Sequence, residues 1–273
     1  MSAPRGLPAR AAAVALMAYG ALAAAGCAAR GFAPPDRPGT PVPVAEASEA
    51  LTSVWRGCDG LTTYTAEAAL SGRAGSGRVR GRLHLGLSAE GGIRIEAVAP
   101  FGLLFVLAGG TDGATLFLPR EGEVLRDTPA PAILETVSGL NVSPQALLAM
   151  LSGCIGHGGD AAGAFRHGGD LLEVRVGQAV VWLRGSGAGA RLVAARDAGV
   201  LIDYGSAAGE HPPREVRLRA PATGGGGNDV DLRLALSQIE LNVPLEPAAF
   251  TVSVPASARE ITLDELRRSG LLR

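Results

Sequence analysis

The chain has 273 residues, 47% of them hydrophobic and only 4% aromatic, with 39 glycines and 18 prolines. Its 25 basic side chains, all arginine, nearly balance 26 acidic ones for a formal net charge of -1, and no long single-sign run occurs. Nothing in the sequence argues for nucleic acid or for polybasic binding to lipid, since both need concentrated positive charge.

The N-terminus is the first informative segment. Arg5 and Arg10 precede an uncharged, alanine-rich run from Ala11 to Gly26 that stops at Cys27. A cationic start, an apolar stretch of roughly 7–15 residues and a small-residue end make an export signal, too short and too weakly flanked for a membrane-spanning helix. Leu22-Ala23-Ala24-Ala25-Gly26-Cys27 resembles the bacterial lipobox, in which small residues let a peptidase reach the bond before a diacylated cysteine; Ala24 stands where leucine is commoner. The resemblance implies a lipoprotein signal peptide over 1–26 and acylation, with palmitate-type chains, at Cys27. The alternative is an ordinary signal cut after Ala23 or Ala25, which would release a soluble exported protein. One acyl chain anchors only marginally, whereas the several carried by a lipoprotein hold firmly. Ala28, rather than Asp, follows the cysteine, and by the family's sorting rule this implies the outer membrane, on its periplasmic face.

Cleavage before Cys27 would leave 247 of the 273 residues. Residues 27–44 then form a lipidated tether whose Pro34, Pro35, Pro38, Pro41 and Pro43 favour extended backbone, and residues 45–273 form one folded domain. Two further cysteines remain, Cys58 and Cys154. In an exported chain an even remainder reads as a disulfide, here closing a long loop worth ~4 kcal/mol in the chain-entropy account. The alternative is two small buried thiols.

Along the folded part, Ala47, Leu51, Val54, Trp55 and Cys58 recur at spacings of three and four and predict a helix that Asp59-Gly60 ends. The period then switches to two. Val79, Leu83, Leu85 and Leu87 alternate with Arg80, Arg82 and His84, and Ile93, Ile95 and Ala97 with Arg94 and Glu96, joined by a Glu90-Gly91-Gly92 hairpin. Leu103 to Leu107 is continuously apolar, and Thr115 to Leu118 returns after a glycine turn. Thr128-Pro129 opens a helix carrying Ile133, Leu134 and Val137 and stopped by Gly139; Ser143-Pro144 opens another carrying Leu147, Leu148 and Leu151 and stopped by Gly153. From Leu171 the chain is β again, with strands predicted over Leu172–Val176, Val180–Leu183, Val200–Tyr204, Arg214–Arg219, Asp229–Gln238 and Phe250–Val254. Thr262-Leu263-Asp264-Glu265 fits a capping box for a short last helix.

Alternating strands predict a mainly β fold built on an antiparallel sheet with one apolar face. Few short helices are available to cover that face and aromatic residues are scarce, so a wide curved sheet is left with an incompletely filled concavity, where an apolar ligand would sit.

The segment from Ile93 to Ile155 resembles the outer-membrane lipoprotein receptor of the Lol system and its relatives, a family of lipid-handling half-barrels. The resemblance rests on order: a strand, Pro100-Phe101-Gly102, an apolar strand, a hairpin, a helix ending in Ser138-Gly139-Leu140, then Asn141-Val142-Ser143-Pro144 opening a Leu-rich helix that ends in Leu151-Ser152-Gly153. Pro212 to Leu218 and Leu241-Asn242-Val243 add to it. It implies a curved antiparallel half-barrel closed by short helices, and a function in binding acyl chains of lipoproteins or lipids for transfer or insertion into the outer membrane. The implied partners are those acyl chains, the inner leaflet of the outer membrane and a periplasmic carrier protein, with no cofactor. Phe101, between Pro and Gly, matches the exposed hydrophobic residue that the receptor uses against the membrane; the alternative is a core residue at a tight turn. Leu103, Leu104 and Phe105 are candidates to line the acyl-chain cavity, the alternative being ordinary core. The stretch from Thr262 to Arg273 departs from the receptor and looks like that of uncharacterised lipoprotein relatives, so the cargo stays open.

A competing chemistry is the repeat His157-Gly158-Gly159-Asp160 and His167-Gly168-Gly169-Asp170, whose side chains are zinc-compatible. Both copies fall in what reads as a Gly-rich connection between a helix and a strand, where Gly-Gly-Asp is ordinary turn chemistry, and the sequence reading assigns no metal. No hydrolase or phosphate-binding motif occurs, so the chain reads as a binding protein and not as an enzyme. The other candidate function is a structural lipoprotein whose half-barrel is filled by its own side chains and which holds protein partners.

Overall fold

The computed structural model describes residues 31–74, 77–99, 102–205, 211–221 and 229–269. Cys27, Pro100 and Phe101 lie outside the described residues.

Fifteen strands form one open, curved sheet. In chain order they are β1 (Thr40–Pro41), β2 (Thr63–Ala74), β3 (Gly77–Ser88), β4 (Ile93–Ala99), β5 (Gly102–Gly109), β6 (Ala114–Leu118), β7 (Glu123–Thr128), β8 (Ala161–Arg166), β9 (Leu171–Val176), β10 (Ala179–Arg184), β11 (Arg191–Asp197), β12 (Val200–Asp203), β13 (Glu215–Ala220), β14 (Val230–Leu241) and β15 (Arg259–Glu260). Among the described residues four α-helices accompany them: α1 (Val44–Trp55), α2 (Ala130–Ser138), α3 (Pro144–Ser152) and α4 (Leu263–Ser269). The order across the sheet is β1-β8-β9-β10-β11-β12-β13-β14-β2-β3-β4-β5-β6-β7-β15. Two meanders, β2–β7 and β8–β14, are thus welded by the long antiparallel pairing of β14 with β2, from Asp231 opposite Arg73 to Leu241 opposite Tyr64. All pairs are antiparallel except β15 with β7.

The predicted alternation sets the register. In β14, Val230, Leu232, Leu234 and Leu236 are buried while Asp231, Arg233, Ala235 and Ser237 face outward. The inward rows meet the apolar faces of α2 (Ile133, Leu134, Val137) and α3 (Leu147, Leu148, Met150, Leu151) in one core. The two glycines predicted to stop these helices do so in left-handed conformation, Gly139 at φ 79° and Gly153 at φ 79°. Ser143 caps α3 by accepting from Ala146 N at 3.1 Å. The capping box of α4 is reciprocal: Thr262 N donates to Glu265 Oε2 at 2.7 Å and Glu265 N donates to Thr262 Oγ1 at 3.2 Å.

Cys58 follows α1 and Cys154 follows α3, and they are joined as a disulfide with a Cα–Cα distance of 5.7 Å across 96 residues of sequence. The bond links the two helical ends over the same side of the sheet. The Pro-rich stretch lies along the domain: β1 pairs with β8, and Phe32 packs on Trp182 with ring centroids 5.2 Å apart.

Four local readings differ from the structure. Thr128 does not cap α2; it ends β7, its hydroxyl donates to Arg126 O, and Pro129 occupies the cap position without a side-chain bond. The stretch Phe250–Val254 is not a strand: Phe250 ends a short 3-10 turn (Pro247–Phe250) and the chain then runs irregularly to the two-residue β15. Residues 161–166, within the supposed glycine connection, form β8, because Ala164 supplies an inward contact and β1 covers its free edge. Strands β2, β7 and β11 lie where no strand was predicted.

Candidate functional site

The site forms where the helices fail to fill the concavity. A cavity of about 240 Å3 lies between the inner face of the sheet and the α2–α3 segment. Its floor comes from Leu83, Leu85, Ile95 and Ala97 on β3 and β4, with Leu218, Leu232 and Leu234 from β13 and β14. Its roof is Leu134 and Val137 of α2, Leu140 and Val142 of the connection, and Leu147 and Leu151 of α3. Gly139 makes that connection possible twice over, since its φ is left-handed and a Cβ there would meet Val230 at 2.6 Å. Ser138 is the one hydroxyl among the lining residues; its Oγ donates to Leu134 O at 2.7 Å, so it is engaged within its own helix. The apolar walls therefore present no unpartnered hydroxyl to a ligand.

The β4–β5 hairpin contributes through a bulge. The register shifts between Ala97, opposite Phe105, and Val98, opposite Leu103, which leaves Leu104 as the extra residue. Two consecutive side chains, Leu104 and Phe105, therefore line the cavity, while Leu103 is not among the lining residues. Strict alternation would have turned one of that pair away. Leu134, Leu140, Val142 and Leu232 were not assigned to the cavity from sequence, although the helix faces and the strand alternation marked most of the wall as apolar.

One rim of the cavity is different. β4 pairs with β3 only from Arg82 opposite Val98 to Leu87 opposite Ile93. Beyond that register residues 78–81 have β2 on one side and, among the described residues, no strand on the other. Arg78, Arg80 and Arg82 line the cavity at this edge.

The two His-Gly-Gly-Asp copies do not converge. His157 Nε2 lies 3.0 Å from Asp59 Oδ1, whereas His167 Nε2 lies 3.0 Å from Glu173 Oε2, a carboxylate that also accepts from Trp182 Nε1. Among the described residues, the only three potential metal ligands whose donor atoms fall within 4.8 Å of one another are Cys58, Cys154 and His211. The two sulfurs are bonded to each other, which removes both thiolates. Two tyrosines are buried beside the core: Tyr204 donates to Met150 O at 3.1 Å, and burial followed by the Asp197 charge pushes its phenol far above the ordinary value. Neither Tyr204 nor Tyr64 lines the cavity.

No protein-family model matches the chain, and no curated protein matches it. Solved structures similar to it include a LolA superfamily protein from Nitrosomonas europaea, at 11% identity over 76% of this chain and 96% of that one, with a TM-score of 0.45. A DUF1329 family protein from Desulfovibrio piger is similar at 13% identity over 76% and 96%, with a TM-score of 0.43. The lipoprotein LppX of Mycobacterium tuberculosis is similar at 14% identity over 74% and 96%, with a TM-score of 0.29.

Proposed function

We propose that the protein binds an acyl chain of a lipoprotein or lipid in the cavity under α2 and α3, and that Cys27 anchors it by lipid to the periplasmic face of the outer membrane, where the chain is handed on. The cavity carries this reading. At 240 Å3 it is just below the roughly 300–1,000 Å3 of sites that enclose whole small molecules, a size suited to one narrow chain. Its walls are apolar apart from the arginines at one edge, so a hydrocarbon chain placed there would be sheltered from water. A half-barrel filled by its own side chains would leave no such space.

The energetic need for a carrier is large. Exposing about 15 methylenes of one acyl chain to water costs roughly 12 kcal/mol, so passage between a carrier and a bilayer requires an apolar shelter and release close to the membrane. In this reading Phe101 is the residue that enters the inner leaflet, and a periplasmic carrier is the donor. The test is a native mass spectrum of gently purified full-length protein, which should carry one acyl-lipid equivalent. Protein that comes without lipid and takes up no added fatty acid would falsify the reading.

A further inference from the structure

The sheet register brings the local cluster Arg73, Arg78 and Arg80 beside arginines from the distant strands β13 and β14. Arg217 stands opposite Arg233, Arg233 opposite Ser71, and Ser71 opposite Arg80; in the next row Arg219 stands opposite Asp231, Asp231 opposite Arg73, and Arg73 opposite Arg78. Period-two alternation puts all of these on the outer face of four adjacent strands. The acids there are already committed: Asp231 takes two bonds from Arg217, at 2.7 and 2.6 Å, and Glu215 lies 3.4 Å from Arg233. Asp229, at the start of β14, is engaged with another group. Arg73, Arg78 and Arg80 are exposed and make no ion pair with a described residue. Residues 75–76 and 222–228 contain no Asp or Glu in the sequence. Like charges placed directly opposite each other, as in Arg73 and Arg78, oppose strand pairing.

This patch adjoins the apolar cavity. The depression lined by Arg73, Arg78, Arg80, Arg217 and Arg233, with Asp231 as its one carboxylate, shares Arg78, Val79 and Arg80 with the cavity wall. The shared segment belongs to the stretch of β3 that has lost β4 as a neighbour, so the apolar interior and the cationic exterior meet across a single strand.

We infer that the cavity's ligand is an anionic amphiphile, with its acyl chain under α2 and α3 and its phosphate or carboxylate head held by Arg73, Arg78 and Arg80. The inference rests on the acyl-binding reading above and adds the chemistry of the head. Guanidinium groups are suited to it, since their planar donor forks bond phosphate and carboxylate oxygens in pairs.

The test is displacement of a neutral fluorescent fatty alcohol from the full-length protein by dodecyl phosphate, dodecanoate and dodecanol. The two anionic amphiphiles should displace the probe at concentrations at least about tenfold lower than dodecanol, as expected for charge-assisted bonds. In the triple variant Arg73→Gln/Arg78→Gln/Arg80→Gln the ratio between the dodecanol and anionic displacing concentrations should fall to about one, and the melting temperature should not fall. Equal displacement by all three compounds in the wild-type protein overturns the anionic head and leaves acyl binding standing. Failure of the probe to bind overturns the acyl reading and this inference with it. Arginine-dependent stabilisation by inorganic phosphate without any preference for dodecyl phosphate assigns the patch to free anions and also overturns it.

Discussion

Ala97 offers the sharpest test of whether the space under α2 and α3 is real. It is a buried β4 residue on the cavity floor, paired across the sheet with Leu83 on β3 and Phe105 on β5. Replacing it with leucine adds three carbons. If they enter the 240 Å3 cavity, they remove apolar surface from water and relieve part of the void, for a gain of about 2.4 kcal/mol at ~0.8 kcal/mol per carbon. In a domain of this length each kcal/mol moves the melting temperature by roughly 2–4 °C, so delipidated Ala97→Leu should melt about 5–10 °C higher than delipidated wild type. The same three carbons occupy space that a ligand needs, and acyl affinity should drop by about fiftyfold. Differential scanning calorimetry and fatty-acid titration read the two effects. If the position were already close-packed, overpacking would cost about 1–3 kcal/mol and the variant would melt lower. A lowered melting temperature with unchanged acyl affinity would refute the cavity argument.

Other outcomes follow from the same geometry. Reducing the Cys58–Cys154 bond, which closes a 96-residue separation, should cost about 4–5 kcal/mol in the chain-entropy account and lower the melting temperature by roughly 10–20 °C; an unchanged melt in dithiothreitol would contradict the linkage of α1 to α3. The Asp231 carboxyl is held below its usual range by its bond from Arg217, so it contributes stability above the unfolded carboxylate value and loses it as pH falls through the lowered one. The stability gap between wild type and Asp231→Asn, open at neutral pH, should therefore close in strong acid, and a pH-independent gap in thermal melts would count against the pair. Phe101→Glu should impair transfer of lipid into liposomes while leaving the melting temperature nearly unchanged; a sharp loss of stability would place Phe101 in the core instead. Cys27→Ser should yield protein without an acyl mass, and persistence of that mass would reject Cys27 as the modified residue.

What the sequence made legible was whatever local chemistry decides alone. Period-two alternation located β3, β4 and β14, and the proline, serine and glycine signals located α2 and α3. The parity of Cys58 and Cys154 anticipated their bond. The rest depends on partners distant in sequence. In β2 the inward positions are Tyr64, Ala66, Ala68 and Leu70, and the two alanines leave too faint an apolar alternation to mark a strand; its pairing with β14 supplies the order instead. β11 shows no alternation at all, since Leu192, Val193, Ala194 and Ala195 are all buried, two against the main core and two under the outer cluster of Trp182 and Phe32. The bulge that sends both Leu104 and Phe105 inward is a register effect, and so is the meeting of Arg73, Arg78 and Arg80 with Arg217 and Arg233, more than 100 residues further along the chain. The balanced net charge drew attention away from the local run Arg73, Arg78, Arg80 and Arg82, and it gave no sign that Arg217 and Arg233 would join it.

The most direct measurement is photo-crosslinking of a diazirine-bearing fatty acid to the full-length protein, with the labelled peptides mapped by mass spectrometry. Binding in the proposed cavity predicts stoichiometric labelling confined to the peptides that contain Leu104–Phe105, Leu134–Val142 and Leu147–Leu151. Labelling spread over the outer face, or unaffected by an excess of unlabelled fatty acid, would contradict it.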